Sequence, residues 1–258
     1  METVLDVGKV FSQGKLAEGI YSMWIETAAA KNACGGQFVN LYLKDPTRLL
    51  PRPISICDVD REDRRLRVVY RIAGAGTKAL SALGFRDEIR LMGPLGNGFP
   101  ETEETQKRVV LIGGGIGIPP MLLLAKKYGE SATAVLGYRD ADTFLLSDFK
   151  ESGCGILLSS DDGSVGTKGT VIDAIEEADF TADVIFACGP KPMLSGIRGF
   201  ARKKNIPCYV SMEERMACGI GACLGCVTPS ADKDAHSHVC NKRVCKDGPV
   251  FLAEEVVL

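Results

Sequence analysis

The sequence predicts a β plus α/β protein in three parts: an N-terminal antiparallel β-barrel, a parallel-sheet α/β domain and a small cysteine-rich C-terminal subdomain. Three observations lead there. Residues 1–100 carry short β-rich runs split by Gly, Pro and Asp, the mark of antiparallel strands joined by tight turns. Beyond residue 107, continuous apolar runs alternate with helical segments, as in a parallel sheet covered on both faces. From about residue 210, Cys and Gly dominate and periodicity fades, so this part needs something other than a large apolar core. The expected boundaries are 1–100, 101–209 and 210–258.

In the first part, QFVNLYL (37–43), RRLRVVYRI (64–72) and DEIRLMG (87–93) read as strands. ETEETQK (101–107) is charged, lacks an apolar pattern and reads as a linker. RVVLIGGG (108–115) is an unbroken apolar run, as a strand buried on both faces requires. PPMLLLAKKYG (119–129) is helical, opened by prolines and closed by Gly129. TAVLGY (133–138), GILLSS (155–160), VIDAIEEA (171–178) and DVIFACG (183–189) continue the alternation.

Composition narrows the function classes. The chain has 258 residues, with 31 basic against 33 acidic side chains and a formal net charge of −2. No basic stripe stands out, which argues against nucleic acid as a partner. No apolar stretch approaches the roughly 20 residues that span a bilayer. The opening METVLDVGKVFSQGKLAEG has acidic residues and no apolar signal region. A soluble, cytoplasmic protein is expected.

Ten cysteines is a high count for such a chain. Cys34, Cys57, Cys154, Cys188 and Cys208 are scattered, as small buried apolar residues are. Cys218, Cys223, Cys226, Cys240 and Cys245 crowd into 28 residues, which in a reducing compartment favours a metal site. The spacing Cys218-x4-Cys223-x2-Cys226 matches the plant-type [2Fe–2S] pattern, in which four thiolates hold two irons. Gly219, Gly221 and Gly225 let the backbone wrap closely around sulfide. Zinc remains an alternative, through pairs at both ends of the cluster. A Rieske centre needs two His ligands, but His236 and His238 lie in a polar stretch and read as solvated loop residues. For the fourth ligand, Cys245 is preferred to Cys240, because the turn Lys246-Asp247-Gly248-Pro249 follows it.

Two further turns point to phosphates. LIGGGIGIPPM (111–121) sets Gly113, Gly114, Gly115 and Gly117 between a strand and a helix, where backbone can approach a pyrophosphate. It is neither a P-loop nor a full dinucleotide fingerprint, since no Gly-Lys-Ser/Thr follows and Pro120 takes the third glycine position. ACGPKPM (187–193) ends a later strand, and two such turns at carboxyl strand ends would face one crevice. Arg52-Pro53-Ile54-Ser55 offers a guanidinium for a phosphate and a hydroxyl for a flavin or phosphate oxygen. Gly74-Ala-Gly76-Thr77 opens a short helix that could cap the same phosphates.

RPIS, the Gly74–Thr77 turn, GPLGNGF (93–99), GGGIGIPP (113–120) and CGPKPM (188–193) occur in that order and resemble the ferredoxin–NADP reductase superfamily. ERMACGIGACLGC (214–226) and VCKDGPVF (244–251) narrow the resemblance to the electron-transfer subunits of type B dihydroorotate dehydrogenase, over nearly the whole chain. The resemblance implies a flavin-binding barrel, a nicotinamide-nucleotide-binding α/β domain and a [2Fe–2S] subdomain. It implies that Arg52, Pro53, Ile54 and Ser55 contact FAD, that Val69, Tyr70 and Arg71 line it, and that Gly76 and Thr77 hold its pyrophosphate. Gly113, Gly114, Gly115, Gly117, Cys188, Gly189 and Pro190 would hold NAD, with Cys188 near its ring. Cys218, Cys223, Cys226 and Cys245 would bind the cluster. The implied activity is that of an oxidoreductase subunit in pyrimidine biosynthesis. An FMN-containing partner subunit oxidises dihydroorotate, and electrons pass through cluster and FAD to NAD+, in an expected heterotetramer of two of each subunit. No acid–base catalyst is expected. Many plant-type reductases end in an aromatic residue stacked on the flavin; this chain continues into the cluster segment and ends Val-Val-Leu, so that stacking role is unassigned. Asp161 and Asp162 after GILLSS favour NAD over NADP, while Arg139 and Lys168 nearby leave the second open.

Overall fold

The computed structural model describes residues 3–101, 108–178, 181–231, 233 and 238–258. The charged run beyond Glu101 and His236 lie outside the described residues.

Six antiparallel strands close into a barrel: β1 (Val4–Ala17), β2 (Ile20–Glu26), β3 (Phe38–Tyr42), β4 (Arg52–Asp60), β5 (Arg65–Arg71) and β6 (Glu88–Leu95), with helix α1 (Ala75–Leu80) between the last two. Their order around the barrel is β1-β2-β5-β4-β3-β6. Alternation sends Val39 and Leu41, Ile56, Leu66 and Val68, and Leu91 inward to a dry core. β1 escapes a simple pattern reading because its alternation is inverted. Leu5 and Val7 point out, while Gly8 points in, where a Cβ would stand 2.9 Å from the Glu26 carbonyl oxygen.

The second unit alternates strand and helix: β7 (Val109–Gly114), α2 (Pro119–Tyr128), β8 (Ala132–Tyr138), α3 (Leu146–Glu151), β9 (Gly155–Ser160), β10 (Thr167–Lys168), α4 (Val171–Ala178), β11 (Val184–Cys188), α5 (Lys191–Lys204) and β12 (Cys208–Ser211). All six residues of β7 are buried, as its unbroken apolar run requires. β7, β8 and β9 build one side of the sheet and β11 and β12 the other, so the order reverses between β7 and β11.

The C-terminal part carries β13 (Val227–Pro229), β14 (Asn241–Arg243) and β15 (Val250–Leu252). β13 and β14 form a ribbon, but β15 pairs antiparallel with β12 and becomes the edge of the α/β sheet. The sequence led us to expect a part with little core of its own. Instead Val244, Phe251, Ala253 and Val256 are buried in one cluster with Phe38 of the barrel and Val210 of the sheet. The boundary expected at 209/210 falls within β12.

Apolar packing and charge lock barrel to sheet. Ile20, Cys57 and Val69 of the barrel share a core with Leu111, Ile118, Met121 and Phe186. Two ion pairs cross the same junction, Arg67 with Asp148 and Lys126 with the buried Asp58. Among the described residues no helix is long and apolar enough to cross a membrane.

Candidate cofactor and cluster sites

The first site lies where β4 begins. The Arg52 Nη1 donates to the carbonyls of Leu50 (2.5 Å) and Pro51 (3.3 Å), which fixes the guanidinium. Its Nε and Nη2 lie over the buried Gly76, where any Cβ would overlap them. Thr77 Oγ1 accepts the N–H groups of Ala73 (2.9 Å) and Gly74 (3.3 Å) and donates to the Gly74 carbonyl (3.2 Å), holding that turn open toward Arg52. A fixed guanidinium beside a glycine turn is a cradle for a pyrophosphate, so these residues fit the FAD phosphates. The side chains of Val69 and Tyr70 are buried. Val69 packs into the core shared with the sheet. The Tyr70 ring is buried in the barrel, stacked on Tyr21 at 6.2 Å, and its hydroxyl donates to Gln13 Oε1 at 3.1 Å. Burial pushes the Tyr70 hydroxyl above its usual range, so it stays protonated. Of these three residues, Arg71 is the exposed one, and it reaches Gly115 of the second site.

The second site is the crevice at the carboxyl ends of β7 and β11, where the strand order reverses and open α/β sheets bind ligands. The two glycine turns touch there. A Cβ on Gly117 would overlap the Cys188 carbonyl, and Gly114 and Gly189 both close around Met193. Pro190, in extended conformation, starts α5. Burial pushes the Cys188 thiol up to about 12, against a hydrogen bond from Ser211 that acts the other way, so the thiol is neutral at the crevice floor. At the rim, the Asp162 carboxyl is held below its usual range by the Ser164 side chain and N–H, fixing a negative charge.

The third site gathers Cys218, Cys223, Cys226 and Cys245. Their sulfurs stand as two neighbouring pairs, Cys218 beside Cys223 and Cys226 beside Cys245. Each sulfur also accepts backbone N–H groups. Cys218 Sγ takes Ile220 (3.4 Å) and Ala222 (3.3 Å), Cys223 Sγ takes Gly225 (3.4 Å), Cys226 Sγ takes Cys245 (3.4 Å) and Cys245 Sγ takes Gly221 (3.1 Å). Burial raises the Cys218 thiol, but the N–H groups of Ile220, Cys223 and Ala222 outweigh it and hold it at about 6. Burial, and then the Cys226 thiol beside it, push Cys245 up to about 12. Two pairs of sulfurs wrapped in N–H donors fit a two-iron cluster. Cys240 is exposed, and so is His238, at a φ of 57°.

Sequence reasoning missed the residues that brace this loop. Arg243 spans from Asp247 (3.0 Å) to the Gly221 carbonyl (3.3 Å), and Asn97 Nδ2 donates to the carbonyls of Lys246 (3.3 Å) and Asp247 (3.1 Å). The Arg243-x3-Asp247 spacing was the available signal for the first. Asn97 sits in GPLGNGF, where it reads as an ordinary turn residue.

Comparison with known proteins agrees with this geometry. Residues 213–257 match the family model described as the iron–sulfur cluster binding domain of dihydroorotate dehydrogenase B. A relative from Caldanaerobacter subterraneus subsp. tengcongensis, named dihydroorotate dehydrogenase B (NAD(+)) electron transfer subunit, is 40% identical over 250 residues, covering 96% of this chain and 97% of its own. One of the same name from Geobacillus kaustophilus is 42% identical over 258 residues, with 96% and 97% covered. Among solved structures, the NADH-dependent reduced ferredoxin–NADP oxidoreductase superposes with a TM-score of 0.86 at 32% identity, over 98% of this chain and 90% of the other. A ferredoxin–NADP+ reductase from Neisseria gonorrhoeae shares the fold, with a TM-score of 0.65 at 16% identity over 82% of this chain and 94% of its own. With this identity sustained over nearly its full length, the chain belongs to the family of dihydroorotate dehydrogenase B electron-transfer subunits.

Proposed function

We propose that the chain carries electrons from a partner subunit that oxidises dihydroorotate on FMN to NAD+, as an oxidoreductase subunit in pyrimidine biosynthesis. The observation that carries this reading is the pair of cysteine pairs, each sulfur met by backbone N–H groups, at the edge of a barrel that also holds a phosphate cradle. When bound, FAD accepts electrons singly from a [2Fe–2S] cluster and passes them as a hydride to NAD+.

The chain's own residues bind and place. Arg52 and the Gly76–Thr77 turn would hold the FAD pyrophosphate, with Pro53, Ile54 and Ser55 along the flavin. Arg71 would sit between the flavin and the nucleotide turn. Gly113, Gly114, Gly115 and Gly117 with Cys188, Gly189 and Pro190 would seat NAD. Cys218, Cys223, Cys226 and Cys245 would ligate iron. Hydride transfer needs no acid–base pair. The fixed negative charge of Asp162 disfavours a 2′-phosphate and supports NAD over NADP. Ile220 and Leu224 project from the cysteine loop, 50% and 61% exposed, and give a partner an apolar rim beside the point of electron entry. Two such subunits with two FMN-bearing partners would form the working heterotetramer, in the cytoplasm.

The test is to isolate the tagged chain anaerobically with whatever accompanies it, add dihydroorotate and NAD+, and follow absorbance from NADH. Dihydroorotate-dependent NADH formation by a complex with FAD and two irons per chain is expected. The likeness to the NADH-dependent reduced ferredoxin–NADP oxidoreductase is what a second reading, a reductase subunit of an electron-bifurcating complex, would rest on, and the higher identity to the dihydroorotate dehydrogenase relatives stands against it. A complex with the same cofactors that oxidises NADH but ignores dihydroorotate would transfer the function to that reading.

A further inference from the structure

Asn40 sits in β3 between Val39 and Leu41, whose side chains fill the barrel interior. Strand alternation therefore turns Asn40 to the outer wall. A polar residue there ordinarily meets water, yet Asn40 is fully buried. The cysteine loop covers it. Its Nδ2 donates to the Cys218 carbonyl at 3.1 Å, across 178 residues of sequence. Gly219, at a φ of 70°, lies flat on the amide, and a Cβ there would collide with Nδ2 and stand 2.9 Å from Oδ1. Among the described residues Oδ1 has no hydrogen-bond partner, so a single bond and close packing hold the amide. Across the β3–β4 ladder Asn40 stands directly opposite Pro53, inside the Arg52–Ser55 segment.

We propose that Asn40 is a positioning residue for electron transfer: by gripping the Cys218 carbonyl it fixes the first cluster-ligand turn against the strand that carries the flavin segment. The proposal rests on the cluster and FAD reading above. The grip acts through the peptide that follows Cys218. Its orientation decides where the N–H groups of Ile220 and Ala222 meet Cys218 Sγ, and such bonds set the charge a ligating sulfur carries. An apolar side chain of the same size would leave the half-buried Cys218 carbonyl without this partner, and the turn would open to restore one.

The test uses the intact complex and reads the cluster itself. Variants Asn40→Leu, Asn40→Ser, Gly219→Ala and the double Asn40→Ser/Gly219→Ala are compared for FAD content, iron release to a chelator and the electron paramagnetic resonance spectrum of the reduced cluster. Asn40→Leu is expected to keep FAD, release iron about tenfold faster and shift the spectrum. Gly219→Ala presses on the same contact from the other side and is expected to do likewise. Serine makes room for that methyl, so the double variant releases iron more slowly than the product of the single effects predicts. If Asn40→Leu does not fold, the Gly219 cycle carries the test. Wild-type iron release and an unshifted spectrum in Asn40→Leu, or a strictly multiplicative cycle, overturn the proposal. A wild-type complex without iron overturns the cluster reading instead, and this proposal with it.

Discussion

Two adjacent lysines of α2 set up a controlled test of what holds barrel to sheet. Lys126 and Lys127 each make an ion pair and are each 44% exposed at the side chain. Their partners differ. Asp58, in the barrel, is 2% exposed, while Glu101 is 77% exposed. Asp58 Oδ1 takes the Val59 N–H at 2.9 Å, and Oδ2 takes Lys126. Lys126→Met therefore strands one oxygen of a buried carboxylate. Leaving such an acceptor unpaired costs about 1–3 kcal/mol. Water reaching the lysine side keeps the loss below the about 3–5 kcal/mol of a fully enclosed pair. Taking about 2 kcal/mol, and about 2–4 °C per kcal/mol for a chain of this size, Tm falls by roughly 4–8 °C. Lys127→Met removes a pair worth about 0–1 kcal/mol and moves Tm by less than about 4 °C. Thermal unfolding followed by calorimetry and flavin fluorescence reads both. Asp58→Asn added to Lys126→Met recovers part of the loss, because a neutral amide is cheaper to bury. Equal shifts for the two lysine variants would refute the argument that partner burial, and not the number of ion pairs, decides.

Other outcomes follow from the sites. Arg52→Ala weakens FAD binding about 10- to 100-fold, read by fluorescence on titrating the flavin-free chain, since a charged donor to phosphate contributes about 1.5–3 kcal/mol. Gly117→Val pushes the two nucleotide turns apart, so NADH oxidation with an artificial acceptor falls at least about tenfold while FAD content holds, a loss of about 1.4 kcal/mol or more. Cys223→Ser abolishes dihydroorotate-driven NAD+ reduction and lowers bound iron, with FAD retained in the barrel. Burial raises the thiols of Cys57, Cys188 and Cys208, the last two to about 12, above the 9.0 of a free thiol. A raised folded value means that the stabilisation is complete below pH 9 and drains away as pH climbs from 9 toward 12. Tm should fall beyond pH 9, less steeply in Cys208→Ala; an equal slope there would remove this thiol from the account.

What the sequence disclosed depended on whether local pattern or distant packing set each element. β7 was legible because burial on both faces leaves only apolar residues and glycines. α2 was legible because Pro119 and Gly129 mark its ends. β1 was not, because Leu5 and Val7 face out and Gly8 faces in, against the usual alternation. α5, KPMLSGIRGFARKK, hides behind two glycines and a serine that weaken its helical signal. The cysteine spacing disclosed the cluster loop, and the turn after Cys245 pointed to the residue whose sulfur the Gly221 N–H meets. Asn40 could not be read at all. An amide at an outward strand position signals solvent, and only the loop arriving 178 residues later buries it.

The pairing of β15 with β12 makes the cysteine-rich part a structural member of the nucleotide sheet, rather than a cartridge plugged into it. A shortened chain that stops before β15 would bare the β12 ladder, a row of unpaired N–H and C=O groups that invites pairing with another molecule. Such a chain should clump even with its FAD and nucleotide sites intact. A stand-alone flavin reductase cut from this protein would therefore need a new cap for that edge. The same seam ties Ser211, at the end of β12 beneath Cys188, to Val250 on the strand that follows Cys245. On the proposed reading the points where the electron enters and leaves are thus joined by one short stretch of ladder, and damage at one end has a mechanical route to the other.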